Sequence, residues 1–288
     1  MSNPSASRYF IPQPSHWPMV GSLALLLMAS GAVLTMNSIA NGGFVLLAGA
    51  AVLFYMLFGW FGRVIDESEG GSYNLQVDQS FRWSMGWFIF SEVMFFAAFF
   101  GSLFYIRVLS VPELASSAQQ MYSTFAGFVG TWPTAGPVAE AAKTEFHPMH
   151  ATGIPLLNTI LLLSSGATLT WAHWGMLAGK RKQLVFGLFL TIALGLTFIG
   201  FQAYEYFEAY THLNLKLTTG VYGSTFFMLT GFHGFHVTLG ATMLIVILIR
   251  SMKGHFTAER HFAFEAVAWY WHFVDVVWLG LFVVVYWL

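Results

Sequence analysis

Between residues 9 and 62 the chain carries no Asp, Glu, Lys or Arg, and that absence restricts the fold more than any motif does. A water-facing surface cannot be built from such a stretch, whereas one helical crossing of a bilayer about 30 Å thick needs about 20 apolar residues. The stretch therefore holds two crossings, near 18–38 and 42–62, parted by the turn-forming residues Asn37 to Gly43. A third apolar segment, about 83–109, follows Arg82, contains the acid Glu92 and ends around Arg107. Uncharged runs from Phe146 to Gly179, Gln183 to Tyr204 and Leu217 to Ile249 place helices near 154–177, 183–208 and 221–249. The final apolar segment, 262–287, carries Glu265, His272 and Asp275. The expectation is an all-α polytopic membrane protein, one membrane domain over 1–288 with seven transmembrane helices, because only helices and closed barrels satisfy every backbone polar group in lipid.

Composition narrows the function. Charged residues make up 9% of the chain and its net charge is −1, so no nucleic acid partner is implied. With no cysteine, disulfides, iron–sulfur clusters and thiolate-bridged copper are excluded. Aromatic residues, at 18%, suit interfacial anchors and lipid-facing surfaces.

The basic residues predict an orientation. Alternating the loops puts Arg8, Arg63, Arg82, Lys180, Arg181, Lys182, Arg250, Lys253 and Arg260 on one side and only Arg107, Lys143 and Lys216 on the other. The richer side faces inward, so the N-terminus is expected in the cytoplasm and the C-terminus outside. Residues 1–17 are polar, with no short apolar run before a small-residue cleavage site, so the first span is read as mature protein rather than a signal peptide. The longest non-membrane piece is the outer loop 110–153, too short for a domain of its own.

Polar groups inside the spans are the candidate functional residues. Glu92 is expected roughly 13–15 Å into its helix at 1.5 Å rise per residue. An ionised acid there costs about 2.5–3.5 kcal/mol, so its neutral form is the cheaper one. It reads either as a proton-exchanging carboxyl or as a neutral acid bonded to a neighbouring helix. His233 and His236 share one face of the sixth span, and His272 lies on the seventh. A haem between helices, or a metal held with help from Glu265 or Asp275, is chemically open to them. The plainer reading is a hydrogen-bonded network that glues helices together. Glu265, His272 and Asp275 share one flank, which must face protein. Glu205 and Glu208, with Tyr204 and Tyr206, are candidates for the same network. Gly231, Gly234, Gly240, Gly195 and Gly200 are read as positions of close helix approach. The string Gly231-Phe-His-Gly-Phe-His236 lacks phosphate-loop spacing and lies within an apolar span, which argues against nucleotide binding.

Several strings taken together carry a resemblance. They include Pro14-Ser-His-Trp-Pro18, Ser91-Glu-Val-Met-Phe-Phe96, Pro155-Leu-Leu-Asn-Thr159, Thr170-Trp-Ala-His173, Gln202-Ala-Tyr-Glu-Tyr206, Thr230-Gly-Phe-His-Gly-Phe-His-Val237 and Ala268-Trp-Tyr-Trp-His-Phe-Val-Asp-Val-Val-Trp278. In this order and spacing the chain resembles cytochrome c oxidase subunit III over nearly its full length. The resemblance implies two helices splayed from five around a phospholipid-filled cleft. It also implies association with subunit I, whose haems and copper reduce oxygen, and with subunit II, which takes electrons from cytochrome c. This chain would hold no catalytic residue, no metal and no cofactor beyond phospholipids. Its implied role is to stabilise subunit I, sustain proton uptake in a proton-pumping respiratory oxidase, and offer oxygen a path through the lipid. Glu92 corresponds to the family's buried acid. His236 and Arg250 correspond to residues near lipid head groups, as do Trp60 and Glu67 after the second helix, and Arg63, one turn before the family's Arg position, is a further lipid-binding candidate.

The departures are local. Asp66 stands where the family has an Arg, Trp174 where many relatives have a second His, and Gly101 where they have a Trp. The outer segment also looks longer than in mitochondrial relatives, which favours a bacterial cytoplasmic membrane over the mitochondrial inner membrane. An equivalent subunit of a haem-copper quinol oxidase is the alternative. The accessory reading predicts a colourless chain, a haem protein an absorbance band, and an ion carrier pH-dependent flux through this chain alone.

Overall fold

The structure is a computed structural model, which describes residues 10–120, 128–141 and 145–288. Arg8 and Lys143, used in the charge count, lie outside the described residues, as does part of the 110–153 segment. Among the described residues seven helices are long and apolar enough to cross a membrane, and all the regular structure is helical. The chain divides into two compact units, Met1–Trp83 and Ser84–Leu288.

The first unit contains α1 (Trp17–Met36) and α2 (Gly42–Glu69), a helical hairpin. Its close approach rests on glycine. A side chain at Gly49 would put its Cβ 2.6 Å from the Met28 nitrogen, and one at Gly31 would collide with the Leu46 backbone. Few of its residues are buried: in α1 only Ala24 and Gly31, and in α2 Gly42, Gly49 and Met56. α2 outruns the uncharged gap because Arg63, Asp66, Glu67 and Glu69 continue its helical register into a polar last turn.

α3 (Leu75–Phe104) likewise begins eight residues before the apolar segment. The Asn74 side chain accepts from the Val77 N–H at 3.0 Å, which satisfies an otherwise unpaired amide at the helix start. Asp78 pairs with Arg82 at 2.8 Å one turn on. After a π-helical turn, Tyr105–Ser110, come α4 (Val111–Gln120) and the short α5 (Pro137–Ala141).

The second unit is built on α6 (Ile154–Leu177), α7 (Arg181–Thr211), α8 (Val221–Lys253) and α9 (Phe262–Leu281, with a π-helical turn Phe282–Trp287). Trp271 sits at its centre, fully buried. A Cβ on Gly195 of α7 would lie 2.7 Å from the Trp271 ring, and one on Gly240 of α8 would lie 2.8 Å from it. Two of the five glycines read as close-approach positions therefore form a slot for one indole. Gly200 and Gly234 face open space, and Gly231 has only ordinary contact with the Tyr206 hydroxyl. The Trp271 Nε1 donates to Ser165 Oγ of α6 at 2.9 Å, and the Trp278 Nε1 donates to Thr159 Oγ1 at 3.0 Å. The two rungs run antiparallel, bonding α9 to α6 where lipid offers no partner.

At one end of this unit the guanidinium of Arg181 bonds the Met252 carbonyl. At the other end that of Arg107 bonds the Leu288 carbonyl. The segment before α6 packs over the α7–α8 turn. The Tyr222 N–H donates to the Thr134 carbonyl at 3.2 Å, and the Phe146 and Tyr222 rings stack.

Candidate functional site

The Glu92 carboxyl has a partner. Its Oε2 lies 2.9 Å from His236 Nε2, joining α3 to α8 across 144 residues of sequence. His236 is held from its other side as well, with Nδ1 2.6 Å from the Phe232 carbonyl one turn earlier in α8. A carbonyl only accepts, so Nδ1 carries a hydrogen and donates it. Nε2 and the carboxyl oxygen then need one proton between them, on one atom or the other, since two lone pairs at that distance repel. Either position leaves the pair with zero net charge, the form that hydrocarbon tolerates. Adding or removing a proton gives the pair a net charge, whereas shifting the proton within the bond does not.

Aromatic packing holds this geometry. Phe96, buried in α3, meets the His236 imidazole edge to face with centroids 5.0 Å apart. Phe95 and Phe99 pack on Phe232 at 5.0 and 5.1 Å. The Tyr270 ring of α9 stacks on His236 at 6.3 Å. The histidine side chain is 8% exposed and the Glu92 side chain 21%, so the carboxyl is the member that reaches the protein surface. That surface is apolar: Trp87, Phe90, Val93 and Met94 of α3 are all exposed.

The other candidate residues fall into distinct settings. His233 is fully buried, donates from Nε2 to the Val274 carbonyl at 3.2 Å, and packs on Trp278 and Phe198. His272 Nδ1 lies 3.7 Å from Asp275 Oδ2, and its Nε2 lies 3.4 Å from the Thr170 hydroxyl. Asp275 presses against the backbone of α6 at Gly166, where a side chain would collide with its carboxylate. Glu265 turns away from these toward His261, at 3.2 Å. Glu205 is fully buried and accepts from the Tyr286 hydroxyl at 2.6 Å, while the Tyr206 hydroxyl bonds Thr230 at 2.7 Å. His173, His261 and Tyr286 were not singled out from the sequence. The four-residue spacing of His261 and Glu265 was the available signal.

Of the head-group candidates, His236 is a member of the pair, and Arg250 lies away from it in the same unit. Arg250 is buried against the Phe256 ring, with its guanidinium carbon 4.7 Å from the ring centroid. It lies fourteen residues beyond His236 in α8, roughly 21 Å at 1.5 Å rise per residue, so these two residues sit at different depths. In the first unit Arg63 pairs with Glu67 at 3.4 Å, and the Tyr73 hydroxyl donates to the same carboxylate at 2.9 Å. Burial, together with that hydrogen bond and the Glu67 charge, pushes the Tyr73 phenol above its usual range. Trp60 is half-exposed nearby in sequence.

Comparison with known proteins gives a consistent result. A family model described as cytochrome c oxidase subunit III matches residues 7–288. The chain is 43% identical over 280 residues to cytochrome c oxidase subunit 3 of Hippopotamus amphibius, covering 97% of this chain and 96% of that protein. The corresponding protein of Marchantia polymorpha gives the same identity and coverage. That of Equus caballus is 42% identical over the same extent.

Proposed function

The chain belongs to the cytochrome c oxidase subunit III family, and on that premise we propose that its Glu92–His236 pair keeps a transferable proton inside the membrane for the turnover of the partner catalytic subunit. Membership makes the protein a multi-pass membrane subunit of an oxygen-reducing oxidase, working in complex with other oxidase subunits. The finer reading is ours. The haems and copper belong to subunit I, subunit II receives electrons from cytochrome c, and this chain stabilises subunit I without a redox centre of its own. The complex sits in a bacterial cytoplasmic membrane, with the N-terminal end of this chain inside.

The observation that carries this reading is the hydrogen count at His236. With Nδ1 committed to the Phe232 carbonyl, the bond from Nε2 to Glu92 has two isomeric proton positions of equal net charge. Within such a bond the proton moves between the two atoms without placing net charge in lipid. Its exposed end, the carboxyl, lies on an apolar helix face suited to lipid or to a partner helix. Phospholipid head groups are assigned separately to Trp60, Arg63 and Glu67 in the first unit and to Arg250 in the second. Phospholipid tails along the exposed apolar helices would also admit oxygen.

The test uses the assembled oxidase. With Glu92→Gln, the amide still donates to Nε2 but cannot exchange a proton. Oxygen consumption is expected to start at the wild-type rate and to decay sooner over successive turnovers. Glu92→Leu is expected to behave in the same way. If Gln sustains turnover like wild type and Leu does not, the pair only joins helices and the proposal fails. Reduced cytochrome c and a quinol, offered in turn as donors, separate the cytochrome c oxidase from the quinol oxidase alternative.

A further inference from the structure

Near the α7–α8 turn, three buried polar side chains share one level of the second unit. Asn158 and Glu205 are 0% exposed and Gln202 is 5% exposed. Neither amide atom of Asn158, neither of Gln202, nor Oε2 of Glu205 has a hydrogen-bond partner among the described residues. We propose that these three side chains form an internal binding site for ordered water, which bonds α6 to α7 independently of the Glu92–His236 pair.

The helix register brings them together. The Thr168 hydroxyl of α6 bonds that of Thr191 in α7 at 2.8 Å, and the Cβ that Gly187 lacks would lie 2.8 Å from the Ala172 Cβ, so the two antiparallel helices have a fixed alignment. Asn158 lies ten residues before Thr168 and Gln202 eleven after Thr191, which puts them at the same height. Both keep the inward face, Asn158 two heptads before Ala172 and Gln202 about three turns after Thr191. Glu205 follows Gln202 by one turn, and its Oε1 accepts from the Tyr286 hydroxyl at 2.6 Å. Gln202 stands beside the same hydroxyl without completing a hydrogen bond. One turn nearer the membrane centre, the Phe198 and Trp278 rings meet edge to face at 4.8 Å and present apolar surface to that side.

Water is the ligand these atoms call for. Each amide offers two N–H donors and one accepting oxygen. Exchanging O and N in either side chain changes nothing, because both atoms of each amide are unpaired. The hydroxyls and indole around them are engaged elsewhere. Thr159 Oγ1 donates to the Pro155 carbonyl and accepts from Trp278, the Tyr206 hydroxyl bonds Thr230, and that of Tyr286 donates to Glu205. A cation would satisfy the oxygens and repel the N–H groups, and an anion would do the reverse. Water donates and accepts, fits a packed interior, and makes about three hydrogen bonds to buried groups that lack partners. With Oε1 accepting from Tyr286, a neutral Glu205 can turn its own hydrogen on Oε2 toward such a water. Asn158 lies four residues from the start of α6 and Glu205 six from the end of α7, roughly 6 and 9 Å at 1.5 Å rise per residue. Water therefore reaches the site from that end of the helices without crossing the hydrocarbon centre.

The experiment is a structure of the purified oxidase complex, at a resolution that shows ordered water, for wild type and for Asn158→Leu and Gln202→Met. The wild-type map is expected to hold at least one solvent peak within about 2.7–3.2 Å of an Asn158 amide atom and of Gln202 or Glu205. In each variant that peak is expected to disappear or to lose occupancy, since an apolar side chain of similar size replaces one of its partners. A wild-type map with well-defined side chains and no such peak overturns the proposal, as does a peak that stands unchanged in both variants. The wild-type map decides the matter alone where a variant fails to assemble.

Discussion

The Trp271 ring fills the space that a side chain on Gly195 would occupy, the missing Cβ lying 2.7 Å from the indole. Gly240 opens the opposite wall, and the indole nitrogen reaches Ser165, so one side chain of α9 touches α6, α7 and α8. Gly195→Val is accordingly expected to destabilise the second unit by about 1–3 kcal/mol, the usual cost of overpacking a filled core. Gly200→Val, facing open space, serves as the control. Denaturation midpoints in mixed micelles measure both, and equal midpoints would refute the slot.

The Trp278–Thr159 bond is best weighed by a double-mutant cycle, because Trp278→Phe also removes volume. The coupling with Thr159→Val is expected near 0.6 kcal/mol and at most about 1.7 kcal/mol, the range for side-chain hydrogen bonds between membrane helices. Coupling indistinguishable from zero would mean that the bond adds nothing beyond packing.

Glu205 and Tyr286 form a buried pair, with the phenol donating at 2.6 Å. Tyr286→Phe removes the donor and leaves the carboxyl in the core, at an expected cost of about 1–3 kcal/mol. Glu205→Gln preserves an accepting oxygen and should assemble nearly as well as wild type, while Glu205→Leu should not. Yields of intact complex after mild heating rank the three variants, and a Gln variant as poor as Leu would contradict this account.

Tyr73 gives a pH dependence with a definite sign. Its folded phenol holds its proton to higher pH than the unfolded one, because burial and the adjacent Glu67 disfavour the phenolate. This contribution to stability is complete below about pH 10, the ordinary tyrosine value, and declines as pH rises toward the higher folded value. Tyr73→Phe should therefore show a shallower alkaline loss of thermal stability than wild type. Identical slopes above pH 10 would exclude Tyr73 as a contributor.

The spans were legible because lipid imposes a one-dimensional rule: charge gaps mark helices whatever the tertiary packing. The helix ends were less so, since α2 and α3 continue through polar residues whose helicity depends on local pairs such as Asp78 with Arg82. Glu92 stood out as a lone acid in an apolar run. Its pairing with His236 did not, because no periodicity links positions 144 residues apart. Glycine meaning was half legible: spacing shows where helices can approach, but only the position of Trp271 separates Gly195 and Gly240 from Gly200 and Gly234. Glu265 shared a helical flank with His272 and Asp275, yet its partner His261 lies one turn back on its own chain.

The rungs between α9 and α6 also bear on the order of assembly. The Ser165 and Thr159 hydroxyls already donate to carbonyls of their own helix, at 2.6 and 2.9 Å, so neither hydroxyl is an idle donor while α6 waits in lipid. α9 leaves the ribosome after α6, α7 and α8, carrying the Trp271 and Trp278 indole N–H groups, which hydrocarbon cannot satisfy. The earlier helices thus present ready acceptors and an open glycine slot to a late-arriving helix with a reason to leave the lipid. Insertion of α9 then closes the packing of α6, α7 and α8, and a chain stalled before it would hold an unfilled groove for quality control to recognise.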